Sequence, residues 1–481
     1  MQLEKFQQEI DTMTLTQELA TLGMARSADH VKAEDLLAAK IQLLDSLGCA
    51  LAGWQADGCE AVVEQMRYWG GREEASVLFY GDMLPMPQAA FANSVLIHAQ
   101  DLDDIHIPGT LHIACIVVPA MLAAAQASKA TGREALMSLI MGVEIAARIE
   151  NPGHAHRRGQ GFLPSSLAGS FGGVVTAARL LGLTVEQCTH AMGINYAQLS
   201  GNRQALYDST LSKRMQPAFS VRSALWSTAL AQRGLTGAHL ALEGEAGYYQ
   251  LYLNMPKVPQ PGSLTQPTEI MEIRRVAYKR FASCGANHHV QIAAEQLWAE
   301  EHLKPQQIAR VDVFGMSAGG IVSRPFVLGP NPQVDAQFSV AWAAAHTLLR
   351  GPATLTDYLS ENVAADTAVI ELAKRVGYID PPSDLPPKLP LPPDYPGGMV
   401  NWQGLVVTTT DGRRLMRCCC PAVTFAPGNL TWEQAVTKFQ QCALFSDICN
   451  DAQAQDIINQ VLSLDQAADL SALLASLSSL T

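Results

Sequence analysis

Glu34-Asp-Leu-Leu-Ala-Ala-Lys-Ile-Gln-Leu-Leu-Asp-Ser-Leu-Gly-Cys-Ala-Leu-Ala-Gly-Trp54 sets Leu37, Ile41, Leu44, Leu47 and Leu51 at steps of three and four, the spacing of one helix face. The same period returns in Arg133–Ile149, Ser166–Leu181, Val185–Leu199 and Ala218–Arg233, with Gly182 and Gly234 placed where a left-handed C-cap needs no Cβ. No strand–helix–strand rhythm interrupts these segments, so the first 265 residues read as all-helical. The pattern changes at Pro256–Pro267, a Pro-, Gly- and Gln-rich linker. Beyond it Ile273–Lys279 and Ala309–Phe314 read as strands flanking a helix at His289–Glu301. Gly404–Thr410 and Arg413–Cys419 read as a hairpin turning on Asp411-Gly412. A Pro-rich irregular loop spans 379–396, and helices resume at Trp432–Ala443 behind Thr431 and Glu433.

Composition narrows the function. The 481 residues carry 33 Lys+Arg against 45 Asp+Glu, a formal charge of −12, and the pI is about 5.5, which argues against nucleic acid as a partner. With 48% hydrophobic and 16% charged residues the chain buries a large core. Met1–Phe6 lacks the basic start and apolar run of a secretory signal. Ile113–Ala127, which contains Pro119 and Gln126, is too short to span a bilayer and reads as a core helix. The ten cysteines form no Cys-x-x-Cys pair, and reduced thiols in a cytoplasmic protein are the simplest reading.

The densest polar cluster is Asp101-Leu-Asp103-Asp104-Ile-His106 with His112 beyond it. Acids and imidazoles at that density suit a metal site or proton transfer beside a carboxylate. A solvated loop with Asp N-caps is the plainer alternative. Cations gather in two other stretches: Arg274, Arg275, Lys279 and Arg280 without an acid, and Arg203, Lys213 and Arg214 against Asp208 alone. Either group can hold a small polyanion or line a solvated face. Gly315-Met-Ser317-Ala-Gly319 matches a nucleophile elbow, but the following Gly320–Pro332 is too rich in Pro and Gly for the helix that motif requires. Cys284, His288 and His289 lie close in sequence, which by itself reads as packing more readily than as nucleophilic chemistry.

Taken together, Leu43-Leu-Asp-Ser-Leu-Gly48, His98-Ala-Gln-Asp-Leu-Asp-Asp-Ile-His106, Ser212-Lys-Arg-Met-Gln-Pro217 and Ala231-Gln-Arg-Gly-Leu-Thr-Gly237 resemble the MmgE/PrpD family. So do Leu242-Glu-Gly-Glu-Ala-Gly247, Lys279-Arg-Phe281, Asp335-Ala-Gln-Phe-Ser339 and Lys438-Phe439. That family includes 2-methylcitrate dehydratases, cis-aconitate decarboxylases and iminodisuccinate epimerases. The resemblance implies a mainly α fold: an all-helical domain over 1–267, an α+β lid over 268–426, and C-terminal helices over 427–481 packing back on the first part. It also implies a homodimer working without metal or organic cofactor on a small di- or tricarboxylate, with no membrane partner.

By position, the family's catalytic residues resemble Asp101, His112, Lys213 and Lys279, and Asp104, Arg203, Arg280 and His288 stand as substrate-binding candidates. Taking a proton from carbon beside a carboxylate builds negative charge, so the chemistry asks for a base paired with cations. Ile105, Leu163 and Gln216 stand where the family commonly has Thr, His and His, which leaves fewer proton carriers. The leading expectation is a carbon–oxygen or carbon–carbon lyase. The alternatives are an epimerase of a dicarboxylate such as iminodisuccinate, or a catalytically impaired homologue acting as a binding subunit.

Overall fold

The computed structural model describes residues 13–25, 31–153, 156, 161–386, 402–420 and 428–480. The Ala33–Gly53 helix is buried almost all round. It packs against the Met86–His98, Ala114–Ser128 and Gly132–Glu150 helices, and against the C-terminal Trp432–Ser446 helix. One residue of the face read from its sequence is displaced: Leu37 is 42% exposed, because the helix begins at the molecule's edge before entering the core. Among the described residues this is the one helix long and apolar enough to cross a membrane, and its apolar surface is spent on neighbouring helices.

Small residues set the spacing of these helices. A Cβ at Gly53 would lie 2.0 Å from the Leu96 carbonyl oxygen, and one at Gly142 would lie 2.0 Å from Thr176 Oγ1. Gly132–Glu150 and Pro164–Leu180 pack closely, with Gly142 and Gly172 at their contact. Thr131 and Thr184 accept the backbone N–H three residues on, closing capping boxes at the starts of two helices. Gly182 and Gly234 have φ of +69° and +90°, as helix-ending turns require.

The first 265 residues are not wholly helical. Ala75–Ser76 pairs with Met83–Leu84, and Ile105–His106 forms a two-residue antiparallel ladder with Val276–Ala277. Such short ladders leave no periodic trace in sequence. The strand read at Ile273–Lys279 is likewise shortened to that pair, preceded by a 3₁₀ turn at Glu272–Arg275.

The main sheet has four strands in the spatial order Val376–Ile379, Ile308–Phe314, Gln403–Thr409, Arg414–Cys419. The first pair is parallel, and the last is the antiparallel hairpin read from Asp411-Gly412. The Gly285–Glu301 helix covers this sheet and packs on Val340–Arg350. Val340–Arg350, Thr367–Ala373 and the edge strand Val376–Ile379 had no distinct sequence signal. Most of the expected 379–396 loop lies outside the described residues. All ten cysteines are free.

Candidate active site

The Met86–His98 helix ends in the core, and Asp101 adopts φ +50°, a left-handed conformation that Asp tolerates better than most residues. This turn aims both the carbonyl and the carboxylate of Asp101 at one point. The Ile105–Ala277 pairing brings in the other half of the site, since Lys279 follows two residues after Ala277. His106 Nε2 and Glu272 Oε2, 2.8 Å apart, fasten the same junction.

Lys279 Nζ donates to the Asp101 carbonyl at 2.7 Å and to Asp101 Oδ2 at 2.8 Å. Lys213 arrives from a third direction, on the 3₁₀ turn Leu211–Met215 that opens the Gln216–Gln232 helix. That helix packs against Met86–His98, which brings the Lys213 ammonium to Asp101 Oδ1 and to His98 Nε2, the latter at 2.8 Å. The Phe338 ring lies 4.9 Å from the same nitrogen. Each ammonium has three donors, two of them engaged by these contacts.

Burial pushes the Asp101 carboxyl upward, but Lys213 and Lys279 outweigh it and hold the group well below the usual carboxylate range. Burial lowers Lys279 and Asp101 raises it more, so the ammonium persists. Asp101 is thus an ionised clasp between two cations.

His112 Nδ1 lies 2.6 Å from the Asp104 carbonyl oxygen, which can only accept, so Nδ1 carries the hydrogen and Nε2 holds a lone pair. Burial, reinforced by Lys279, brings this imidazole down to about 3, so it is neutral at physiological pH. Its side chain keeps 22% exposure while those of Asp101 and Lys279 keep 3% and none, making His112 the member of the group most open to an incoming molecule. Asp104 itself is fully buried. Burial, with Asp103 adding, pushes its carboxyl well above the usual range, and its oxygens face the Ala114 N–H at 3.1 Å and Gln42 Nε2 at 3.0 Å.

The structure gathers Asp101, Asp104, His112, Lys213 and Lys279 into one cluster, and leaves two substrate-binding candidates outside its contacts. Arg280 turns outward to Glu295 at 2.7 Å and stacks on Phe281. Arg203, half-buried, opens the short Gln204–Tyr207 helix and bonds through its backbone to Gly161. Alternation explains Arg280: it follows Lys279, which points inward. His288 is buried with its ring centroid 5.2 Å from that of Phe281 in an edge-to-face arrangement. It lines a cavity of about 1100 Å³ bounded by the Tyr278–Ala282 segment and the Trp432–Ser446 helix, and Asp101, His112 and Lys213 are not on that cavity's wall.

Sequence reasoning includes His98 and Asp103 in its motifs but assigns neither a role at the site. His98 Nδ1 donates to Asp103 Oδ2 at 2.8 Å, and its ring centroid is 5.3 Å from that of His112. The helix terminus just before an acidic run was the available signal. His98, Asp103 and Cys115 hold donor atoms within 4.8 Å of one another, and the His98 nitrogen that faces Asp103 is engaged by its 2.8 Å hydrogen bond to that carboxylate.

The three departures from the family pattern have local explanations. Ile105 forms a small apolar contact with Ile107 and Ala277. Leu163 precedes the Pro164–Leu180 helix, whose Ser165 Oγ accepts the His112 backbone N–H at 2.9 Å. Gln216 accepts from the Asn202 N–H at 2.6 Å and donates to the Asn202 carbonyl at 2.8 Å, holding the adjoining loop. Ser317 lies in a loop where its carbonyl accepts from Ser323 Oγ, without the helix an elbow needs.

Among known proteins, the chain is 27% identical over 383 residues to the cis-aconitate decarboxylase of Homo sapiens, covering 78% of each. It is 27% identical over 384 residues to that of Mus musculus, covering 78% of this chain and 77% of the relative. It is 26% identical over 490 residues to the cis-aconitate decarboxylase-like protein oryM of Aspergillus oryzae, covering 96% of this chain and 97% of the relative. The profile of the MmgE/PrpD N-terminal domain matches residues 17–260 and that of the MmgE/PrpD C-terminal domain matches residues 281–464. Since these two stretches take in the Asp101 and Lys213 segments on one side and the helix after Lys279 on the other, the chain belongs to the MmgE/PrpD family of dehydratases and decarboxylases.

Proposed function

We propose that this protein is a lyase that removes carbon dioxide, or water, from a small tricarboxylate of the cis-aconitate or 2-methylcitrate type. The observation that carries the reading is the convergence of Lys213 and Lys279 on Asp101 beside the neutral imidazole of His112. Each ammonium keeps one donor for a substrate carboxylate, and their charges lie where an enediolate would form.

In the decarboxylation, the carbon–carbon bond to the departing carboxylate breaks and carbon dioxide leaves. Its electron pair moves through the neighbouring alkene onto a carboxylate held by the lysines. A proton then joins carbon. We assign its delivery to His112 Nε2, which first takes that proton up from solvent as the polyanion binding beside it raises its proton affinity. In a dehydration the same nitrogen takes a proton and hydroxide departs. Asp101, the other proton carrier considered, is held ionised by both lysines and is better suited to fixing them. The reaction so written draws on these side chains and one solvent proton.

The 268–426 segment, carrying Lys279, would act as a lid, and a homodimer completes the reading. Purified protein is to be incubated with cis-aconitate and 2-methylcitrate, with released carbon dioxide trapped in base and product alkene followed by proton NMR, and its size measured by light scattering. Folded protein that turns over neither acid would overturn the lyase reading. Solvent deuterium entering a dicarboxylate without elimination would favour the epimerase, for which the single imidazole most exposed at the site supplies the observation.

A further inference from the structure

We propose that His98 is the positioning residue that aims Lys213, so that the third donor of this ammonium meets the substrate carboxylate. The inference rests on the carboxylate-lyase reading for its consequence, but its geometry stands apart from it.

His98 ends the Met86–His98 helix and is buried. Its Nδ1–H is committed to Asp103, so Nε2 presents a lone pair to Lys213 at 2.8 Å. Burial, with Asp103 opposing it and Lys213 adding, keeps this imidazole below its ordinary value and therefore neutral. Asp103 is held well below the usual range: burial raises it, and His98 and His112 more than offset that. The result is a fixed chain of donors and acceptors: Asp103, His98, Lys213, Asp101, Lys279.

A lysine anchored by one acceptor still rotates about its last bond and swings on a four-carbon stem. Two acceptors in fixed directions remove that freedom, because tetrahedral geometry at nitrogen then sets the direction of the remaining N–H. Asp101 supplies the first acceptor and His98 the second, while Phe338 walls the ammonium at 4.9 Å. Asp101 alone could neutralise Lys213. It is His98 that makes the remaining donor directional.

Two substitutions separate aiming from packing. Gln places its amide oxygen near the position of the imidazole Nε2 and can accept from Lys213. Asn reaches only the Nδ1 position, keeping Asp103 but not Lys213. Reductive methylation of Lys213, read by peptide mass spectrometry with the surface Lys374 as internal reference, needs no substrate. In His98→Asn the loosened Lys213 should label about tenfold faster, as expected for loss of a hydrogen bond to a charged group. His98→Gln should restore most of the protection. With cis-aconitate, His98→Asn should raise KM more than it lowers kcat, and His98→Gln should recover most of the loss. Equal Lys213 labelling in the wild-type and both variants, or an equal rise in both variants, overturns the proposal. Absence of turnover of both cis-aconitate and 2-methylcitrate by the wild-type overturns the lyase reading and leaves the labelling to decide the role of His98.

Discussion

Lys279 grips Asp101 twice, through the main-chain carbonyl at 2.7 Å and the carboxylate at 2.8 Å. A residue in an unfavoured left-handed conformation is thereby held by a cation that arrives from 178 positions further along the chain. Conformation and charge at this point depend on the same ammonium.

Lys279→Met keeps the stem and removes the charge. Breaking a fully buried ion pair costs about 3–5 kcal/mol, so urea denaturation should show a loss of that order. Turnover of a tricarboxylate should fall by about 10² or more, because charge stabilisation at the reacting carbon is lost. Stability and initial rates measured on one preparation check both.

The buried imidazoles predict an acid-sensitive fold. His112 at about 3 and His289 at about 4 lie below their ordinary value, so the unfolded chain binds more protons than the folded one between those values and about 6.5. Stability should therefore rise with pH across this window and be lost as the pH falls through it. Asp101 works in the same sense at lower pH, because its depressed carboxyl contributes stability above about 4 that disappears on further acidification. His112→Gln should flatten the midpoint-versus-pH curve below about 6.5, and an unchanged slope would contradict the assignment.

Asp104 is the opposite case. Its carboxyl is raised by burial and by Asp103, so ionising it inside the fold carries a cost that an amide, its near isostere, avoids. Asp104→Asn removes that cost, so the variant should be more stable than wild-type at pH 7, with Gln42 turning its amide to suit the new group. Its advantage should vanish below about 4, where the unfolded carboxyl is protonated too, and should grow as the pH rises above that value. Denaturation at pH 4 and pH 7 is the check.

Gly53 tests how packing supports the site. An added Cβ meets the Leu96 carbonyl oxygen at 2.0 Å, on the helix that ends in His98. Gly53→Ala should destabilise by about 1–3 kcal/mol and displace the His98–Lys213 contact, lowering activity beyond the stability loss. Calorimetry with parallel rate measurements distinguishes the two effects.

The helical frame was legible because long amphipathic and small-residue segments carry their period openly. The boundaries of Ala33–Gly53 and Gln216–Gln232 fall within two residues of the spacing argument. The Asp411-Gly412 hairpin was legible because its turn chemistry is local. The Ile105–Ala277 pairing was not, since two residues on each side carry no period and their meeting is decided by the surrounding packing. The cluster of Asp101, His112, Lys213 and Lys279 was marked by a family resemblance and not by spacing. Nothing local marked Arg203 and Arg280 as lying outside the cluster's contacts, because sequence counts charges without giving their direction.

The ladder of two residue pairs between Ile105–His106 and Val276–Ala277 also orders events at the ribosome. A nascent chain that has finished its first large helices still lacks the second ammonium, and Asp101 has no carbonyl partner there. Competence therefore arrives only after the later half has emerged and docked. Appearance of the Lys279 contact would then mark the joining of these two stretches, with the docking of Trp432–Ser446 on Ala33–Gly53 still to follow its own synthesis.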